Sequence, residues 1–147
     1  MGFSAEQQRT LSALLDEIIP GSADCALPGA GELGLAAYVE QVLDGAPGLR
    51  PLIARGLAQA DERARGDFAS LPPADRRGVL GELESALPGF LPSLVFHTYV
   101  AYYQDPRVRR ALGLEARPPH PLGYEMEPND LSLLDPVQAR PKLYREP

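Results

Sequence analysis

Residues 90–104 read FLPSLVFHTYVAYYQ and hold five of the ten aromatic residues of the chain. At 3.6 residues per turn, Leu94 and Tyr102 fall on one side of a helix, and Phe96 and Tyr103 fall on another. A helix that is apolar nearly all round is typical of the centre of a helical domain. We therefore predict a central helix from about Phe90 to Gln104.

Segments on either side of this stretch carry the same helical period. The clearest runs from Ser4 to Ile19, where Ser4 and Gln7 form a candidate capping box and Pro20 ends the helix. The other predicted helices are a short one around Leu35–Leu43, one from about Pro51 to Phe68, one that opens at Ser70–Pro73 and continues to Leu87, and one from Asp105 to Leu112. Gly21–Leu33 is predicted to be a loop. Since no segment shows the alternation of a β-strand, the fold class is all-α, a compact bundle of about five to six helices.

The composition changes after Gly113. Residues 114–147 contain seven of the 16 prolines and show no helical period. Large apolar residues, among them Leu131, Leu133 and Tyr144, are too frequent there for a solvated linker. We predict a helical domain at residues 1–113 and an extended, proline-rich tail at residues 114–147 that packs on the domain or on a partner subunit.

Charge and composition exclude several classes of function. Fourteen Lys and Arg against 20 Asp and Glu give a net charge of −6, which argues against nucleic acid as a partner. Cys25 is the one cysteine, so no disulfide can form within the chain, and with His97 and His120 it makes too few ligands for a structural zinc site. The sequence shows no signal peptide, no twin-arginine motif and no apolar run long enough for a transmembrane segment, so we expect a cytoplasmic location.

Three motifs with catalytic associations have more ordinary interpretations. His97 could serve as a general base beside Tyr99 or Tyr102, but no acidic side chain lies one helical turn away to orient it. The glycines of Pro28–Gly34 imitate a dinucleotide-binding spacing, yet no strand precedes them. Ser93 has no nucleophile-elbow setting. We predict no catalytic, cofactor-binding or metal site in this chain.

Several segments in a particular order resemble one protein family. The C-terminal ones are HTYVAYYQDPRV (97–108), ALG (111–113) and PLGY (121–124). The N-terminal ones are LSALLDEIIP (11–20) and FASLPPAD (68–75). Together they are similar to the gluconate 2-dehydrogenase subunit 3 family, over nearly the whole chain.

This resemblance implies a non-catalytic small subunit. It would bind and stabilise a FAD-dependent large subunit of the glucose-methanol-choline (GMC) oxidoreductase type, which oxidises a sugar, glycoside or alcohol, often with a cytochrome c subunit. FAD would belong to the large subunit and not to this chain. Family members commonly carry a twin-arginine signal, from which this sequence departs. Either the complex stays in the cytoplasm, or the large subunit carries the export signal, or a signal has been trimmed.

The residues themselves also favour a binding role, because an aromatic helix and an apolar tail offer contact surface. The predicted partner-interface residues are Phe96, His97, Tyr99, Tyr102, Tyr103, Arg107, His120, Tyr124, Leu131, Leu133 and Tyr144. Two alternatives stay open. One is a free-standing helical adaptor protein, and the other is a small enzyme that uses His97 as its general base.

Overall fold

The computed structural model describes residues 2–24, 26–117, 120, 123 and 125–141. The chain divides into two units, Met1–Arg117 and Pro118–Pro147. All regular structure in the described residues is helical, which confirms the all-α prediction. The helices of the first unit are α1 (Ala5–Ile18), α2 (Ala36–Gly45), α3 (Arg50–Arg63), α4 (Pro73–Ala86), α5 (Phe90–Gln104) and α6 (Pro106–Ala111), with a 3₁₀ turn at Phe68–Ser70.

Helix α1 lies at the centre of the first unit. The predicted capping box is present, since the Gln7 backbone N–H donates to Ser4 Oγ at 3.2 Å and the Ser4 backbone N–H donates to Gln7 Oε1 at 3.0 Å. Leu11, Leu14 and Leu15 are fully buried, as their spacing predicts. The helix contacts α2, α3, α4 and α5, so its apolar stripe forms the middle of the core.

Helix α5 buries one face only, which corrects the expectation of a central helix enclosed on all sides. It packs against α1, α2, α3 and α4. Because α1 holds the centre of the unit, α5 lies at its surface and turns only part of its circumference inward. The buried residues of α5 are Phe90, Leu94, Thr98, Ala101 and Tyr102.

The end of α3 also departs from the prediction. The helix was expected to continue to Phe68, but it ends at Arg63. Arg65 and Gly66 then take positive φ angles of 58° and 145°, which reverse the chain. Phe68 is fully buried in the 3₁₀ turn instead, and its backbone N–H donates to Asp61 Oδ1 at 3.1 Å. The apolar period therefore identified a core residue correctly but assigned it to the wrong element.

Helix α4 leads from the 3₁₀ turn into α5. Val79 and Leu83 are buried one helical turn apart, and Leu87 is buried at the C-cap. Gly89, with a φ of 91°, carries the chain into α5. Within the described residues no single helix is long and apolar enough to cross a membrane, and the consecutive pair α4 and α5, which together reach that length, is bent by 117°.

The predicted loop between α1 and α2 is confirmed, and it is tied to the helices at several points. The Gly31 backbone N–H donates to Asp16 Oδ1 of α1 at 2.7 Å. Tyr102 Oη of α5 donates to the Pro28 carbonyl at 2.9 Å, and Arg107 Nη2 of α6 donates to the Leu33 carbonyl at 3.1 Å. These bonds satisfy backbone groups that a loop without secondary structure would otherwise leave unpaired.

In the described part of the second unit there are two short helical turns, a 3₁₀ turn at Leu131–Leu134 and helix α7 at Asp135–Gln138. The Asp130 carboxylate accepts from the backbone N–H of Ser132 at 3.1 Å and so begins the first turn. The prediction of an extended segment did not include these turns, because elements of four residues are too short to show a helical period. That the segment packs on the domain or on a partner stays a prediction.

Candidate partner-binding site

Four large side chains form an exposed face on α5, which we call the α5 aromatic surface: Val95, Phe96, Tyr99 and Tyr103. Their exposed fractions are 37%, 63%, 46% and 48%. Since each residue advances the helix by 100°, these four positions fall within about 100° of arc. The α5 aromatic surface is therefore one continuous patch that brings together three of the predicted contact residues, Phe96, Tyr99 and Tyr103.

Bonds and burial on the inner side of α5 set the rotation of the helix. Thr98 is fully buried, and its Oγ1 donates to the Leu94 carbonyl at 2.6 Å. Tyr102 is 2% exposed, and its hydroxyl donates a hydrogen bond to the Pro28 carbonyl. Burial raises the pKa of the Tyr102 phenol, so the hydroxyl keeps the proton that it donates. Tyr102 was predicted as a contact residue, but it belongs to the core, because it lies on the face that packs against the loop.

Ring contacts hold the exposed aromatic side chains in place. The Tyr99 and Tyr103 rings lie 5.9 Å apart, centroid to centroid. The Tyr103 ring also meets the buried Tyr102 ring edge to face, at 5.3 Å and 83°. Both distances lie in the range of favourable aromatic pairs. A partner would therefore meet a surface whose ring positions are already restricted.

His97 lies on a different flank of α5, half-buried, about 100° around the helix from Phe96. Its ring meets the Phe96 ring edge to face at 5.1 Å. No carboxylate among the described residues forms an ion pair with it. Within the described residues, the contact that the structure gives for this half-buried histidine is therefore with an aromatic ring.

Beyond the C-terminal end of the α5 aromatic surface, helix α6 is basic. Asp105 is its N-cap, and the Asp105 carboxylate accepts a hydrogen bond from the Arg107 backbone N–H at 2.8 Å. The Arg107 guanidinium donates two more hydrogen bonds to the same carboxylate, at 3.0 and 2.8 Å. The hydrogen bond from the Arg107 side chain lowers the pKa of Asp105 below its usual value. Arg109 Nε donates to the Glu115 carbonyl at 2.7 Å. Arg107, a predicted contact residue with a side chain 55% exposed, thus also has a structural role.

The remaining predicted contact residues fall in the second unit. Leu131 and Leu133 are 67% and 73% exposed, and His120 is exposed as well. Tyr124 and Tyr144 lie outside the described residues. The apolar turn at Leu131–Leu134 is therefore a second exposed apolar feature of the chain, carried by a unit of its own.

Other groups with possible chemistry have structural roles. Among the described residues no set of three or more His, Cys, Asp or Glu side chains is arranged to hold a metal ion. In the glycine-rich loop, the Gly31 N–H is taken by Asp16 and the Gly29 N–H by Glu32 at 3.1 Å, so neither is directed at a phosphate site. The segment whose glycine spacing is similar to that of a dinucleotide-binding loop is thus a turn whose backbone is held by two carboxylates.

A cavity of about 450 Å³ lies beside this loop and is rich in acidic groups. Its carboxylates are already engaged, since Asp16 and Glu32 hold the loop backbone and Glu17 pairs with Arg76 at 3.5 Å. The lining residues are Asp16, Glu17, Pro20, Gly21, Gly29, Glu32, Pro73 and Arg77. The three carboxylates of this cavity therefore all have structural partners, and its remaining charged group is the exposed Arg77.

The prediction from sequence missed three exposed apolar residues of the first unit. Val95 belongs to the surface itself, and Leu112 and Leu114 follow α6 with exposed fractions of 44% and 52%. A helical projection that includes Phe96, Tyr99 and Tyr103 would have found Val95. Leu112 and Leu114 gave no such signal, because they follow α6 and share no helical face with the aromatic residues of α5.

An all-helical unit that exposes a restricted aromatic surface is typical of a protein that binds another protein. The model of one family, Gluconate 2-dehydrogenase subunit 3, matches residues 5–115. The chain belongs to this family, as the sequence resemblance predicted, and the match spans α1 to α6, including the whole α5 aromatic surface. The family name describes one subunit of a dehydrogenase with several chains. No curated protein and no solved structure matches the chain.

Proposed function

We propose that this chain is the non-catalytic small subunit of a dehydrogenase complex, and that it binds and stabilises a FAD-dependent large subunit of GMC type. The family match over residues 5–115 carries the proposal, because it covers nearly all of the helical unit. The exposed aromatic face of α5 supports it, since such faces are common at protein interfaces. The large subunit would oxidise a sugar, glycoside or alcohol.

In this proposal the chemistry belongs to the partner. FAD, bound by the large subunit, would accept a hydride equivalent from the carbon that bears the alcohol. This chain would contribute contact area and stabilise its partner by mass action, because a ligand that binds only the folded state raises the stability of that state. The side chains of Asp16, Glu32 and Tyr102 form hydrogen bonds with the loop backbone. Their role in holding the fold supports a non-catalytic function for this chain.

Dye reduction by the separated chains tests whether the catalytic activity belongs to the large subunit alone. Each chain, and then the complex, is supplied with sugars or simple alcohols and an artificial electron acceptor. We expect no dye reduction by this chain alone. A complex that carries His97→Ala should keep its turnover per flavin within about twofold, since loss of a general base typically costs at least about 100-fold. Turnover by this chain alone, abolished by His97→Ala, would instead show a small enzyme.

A further inference from the structure

We propose that the α5 aromatic surface and the basic edge formed by α6 together are the docking surface for the larger subunit, and that they fit an apolar patch with an acidic rim. This inference rests on the proposed function and adds to it the location and chemistry of the interface. It follows from the extent of the surface, its charge and the rigidity of its side chains.

The extent of the surface suits the centre of a heteromeric interface. Three aromatic rings and one valine, each between a third and two thirds exposed, present on the order of 400 Å². A stable interface buries about 800 Å² on each partner, with an apolar core inside a polar rim. The α5 aromatic surface thus supplies the core, and the neighbouring α6 supplies part of the rim.

The stretch of sequence that carries this surface is opposite in net charge to the rest of the chain. Residues 88–117 contain Arg107, Arg109, Arg110 and Arg117 against Asp105 and Glu115, which gives a net charge of +2. Since the whole chain has a net charge of −6, the remaining residues carry −8. Charge complementarity then favours a partner whose contact patch is rimmed by Asp and Glu.

The same charges argue against a second copy of this chain as the occupant. A two-fold contact would set the +2 segment against itself, which costs energy through repulsion of like charges. A head-to-tail contact between this segment and an acidic face of another copy would join several copies, either into a closed ring or into an open filament. A different chain whose contact patch has an acidic rim can cover this surface without repulsion between like charges and without joining further copies.

The exposed rings lose little freedom on binding. Tyr103 is already held by Tyr99 at 5.9 Å and by Tyr102 at 5.3 Å. Tyr102 in turn is fixed by burial and by its bond to the Pro28 carbonyl. Ordering a side chain at an interface costs affinity, so restricted rings favour tight binding.

The test measures affinity for the flavoprotein that co-purifies with the wild-type chain, isolated from that complex and immobilised. The double variant Phe96→Ser/Tyr99→Ser should bind it about 100-fold more weakly, because buried aromatic anchors carry much of an interface energy. Phe96 and Tyr99 are 63% and 46% exposed in the free chain and neither belongs to the buried core, so the circular dichroism and melting temperature of the variant should stay close to those of the wild type.

A matched pair of charge reversals tests the acidic rim. Arg110 lies exposed on α6, which directly follows α5, and Arg55 lies exposed on α3. Arg110→Glu should weaken binding about tenfold at low salt and less at high salt, whereas Arg55→Glu should change the affinity less than threefold.

The outcomes separate the two proposals. If the wild-type chain co-purifies with no flavoprotein, the proposed function fails. If it does, but the double variant and Arg110→Glu bind as tightly as the wild type, the surface is assigned wrongly while the proposed function stands. If the double variant only converts a dimer of this chain into monomers and keeps its affinity for the flavoprotein, the occupant is a second copy and our inference is overturned.

Discussion

Gly56 of α3 lies directly against the ring of Phe90 at the start of α5. A Cβ atom at this position would overlap three carbons of that ring. We expect Gly56→Ala to destabilise the chain by about 1–3 kcal/mol, because overpacking a core forces neighbouring side chains to shift. Urea unfolding followed by circular dichroism measures the change.

Gly81 of α4 is the matched control, since it is also a helical glycine but is exposed and has no atom within 4 Å of the Cβ position. Gly81→Ala should stabilise the chain by about 0.5–1 kcal/mol through helix propensity. Equal effects of the two substitutions would contradict the close approach of α3 and α5.

Adjacent residues of α5 show what residue-scale prediction can and cannot do. Tyr102 is buried and Tyr103 is 48% exposed. The sequence placed both on a helix, and the helical period separated their directions. It could not say which direction faces the core, because that depends on how α1, α2, α3 and α4 surround α5.

At the scale of elements, Asp105 joins α5 to α6 and makes the stability of the chain depend on pH. The pKa of its carboxyl is lowered in the folded state, chiefly by the hydrogen bond from Arg107. The stability that this adds is fully present above the unfolded pKa of about 3.9 and is lost as the pH falls through the lower folded value.

Two substitutions of Asp105 separate its charge from its capping role. Asp105→Asn keeps a good N-cap and should reduce the loss of stability between pH 5 and pH 3. Asp105→Ala should also cost about 0.5–2 kcal/mol at pH 7, because the Arg107 N–H loses its capping partner. Urea unfolding at pH 3, 5 and 7 measures these effects, and an unchanged pH dependence in Asp105→Asn would contradict the role of the ion pair.

Elements whose signals are local were predicted best. Helix α1 carries its own capping box and a complete apolar stripe, so its bounds followed from Ser4 and Pro20. The end of α3 was misplaced because the chain reverses at Arg65, a residue type that rarely adopts a positive φ. The buried fraction of α5 was overestimated, because the helical period shows which residues are apolar but not which of them another helix covers.

At the scale of the whole molecule, the second unit gives an independent prediction about partner binding. Leu131, Leu133 and Met126 are 67%, 73% and 84% exposed in its described part. If this segment contacts the large subunit as well, removing residues 118–147 should weaken binding about 100-fold, because two linked contact regions bind far more tightly than either alone. Retention of full affinity by the truncated chain, with its helical circular dichroism intact, would show that the tail is not used.

The candidate site as a whole was predictable in part. Phe96, Tyr99 and Tyr103 were identified as contact candidates from their type and spacing, and the structure gathers them on one exposed face. The hydrogen bond from Arg107 to the Leu33 carbonyl is a long-range contact with the loop, and no local sequence pattern predicts it.

Co-purification tests the central claim most directly. The chain is tagged, purified from its host, and the visible absorption spectrum and chain composition of the product are recorded. We predict a flavin spectrum together with a second, larger chain in a fixed ratio to this one. A colourless, well-folded protein that purifies alone would contradict the assignment as a subunit of a flavin-dependent dehydrogenase.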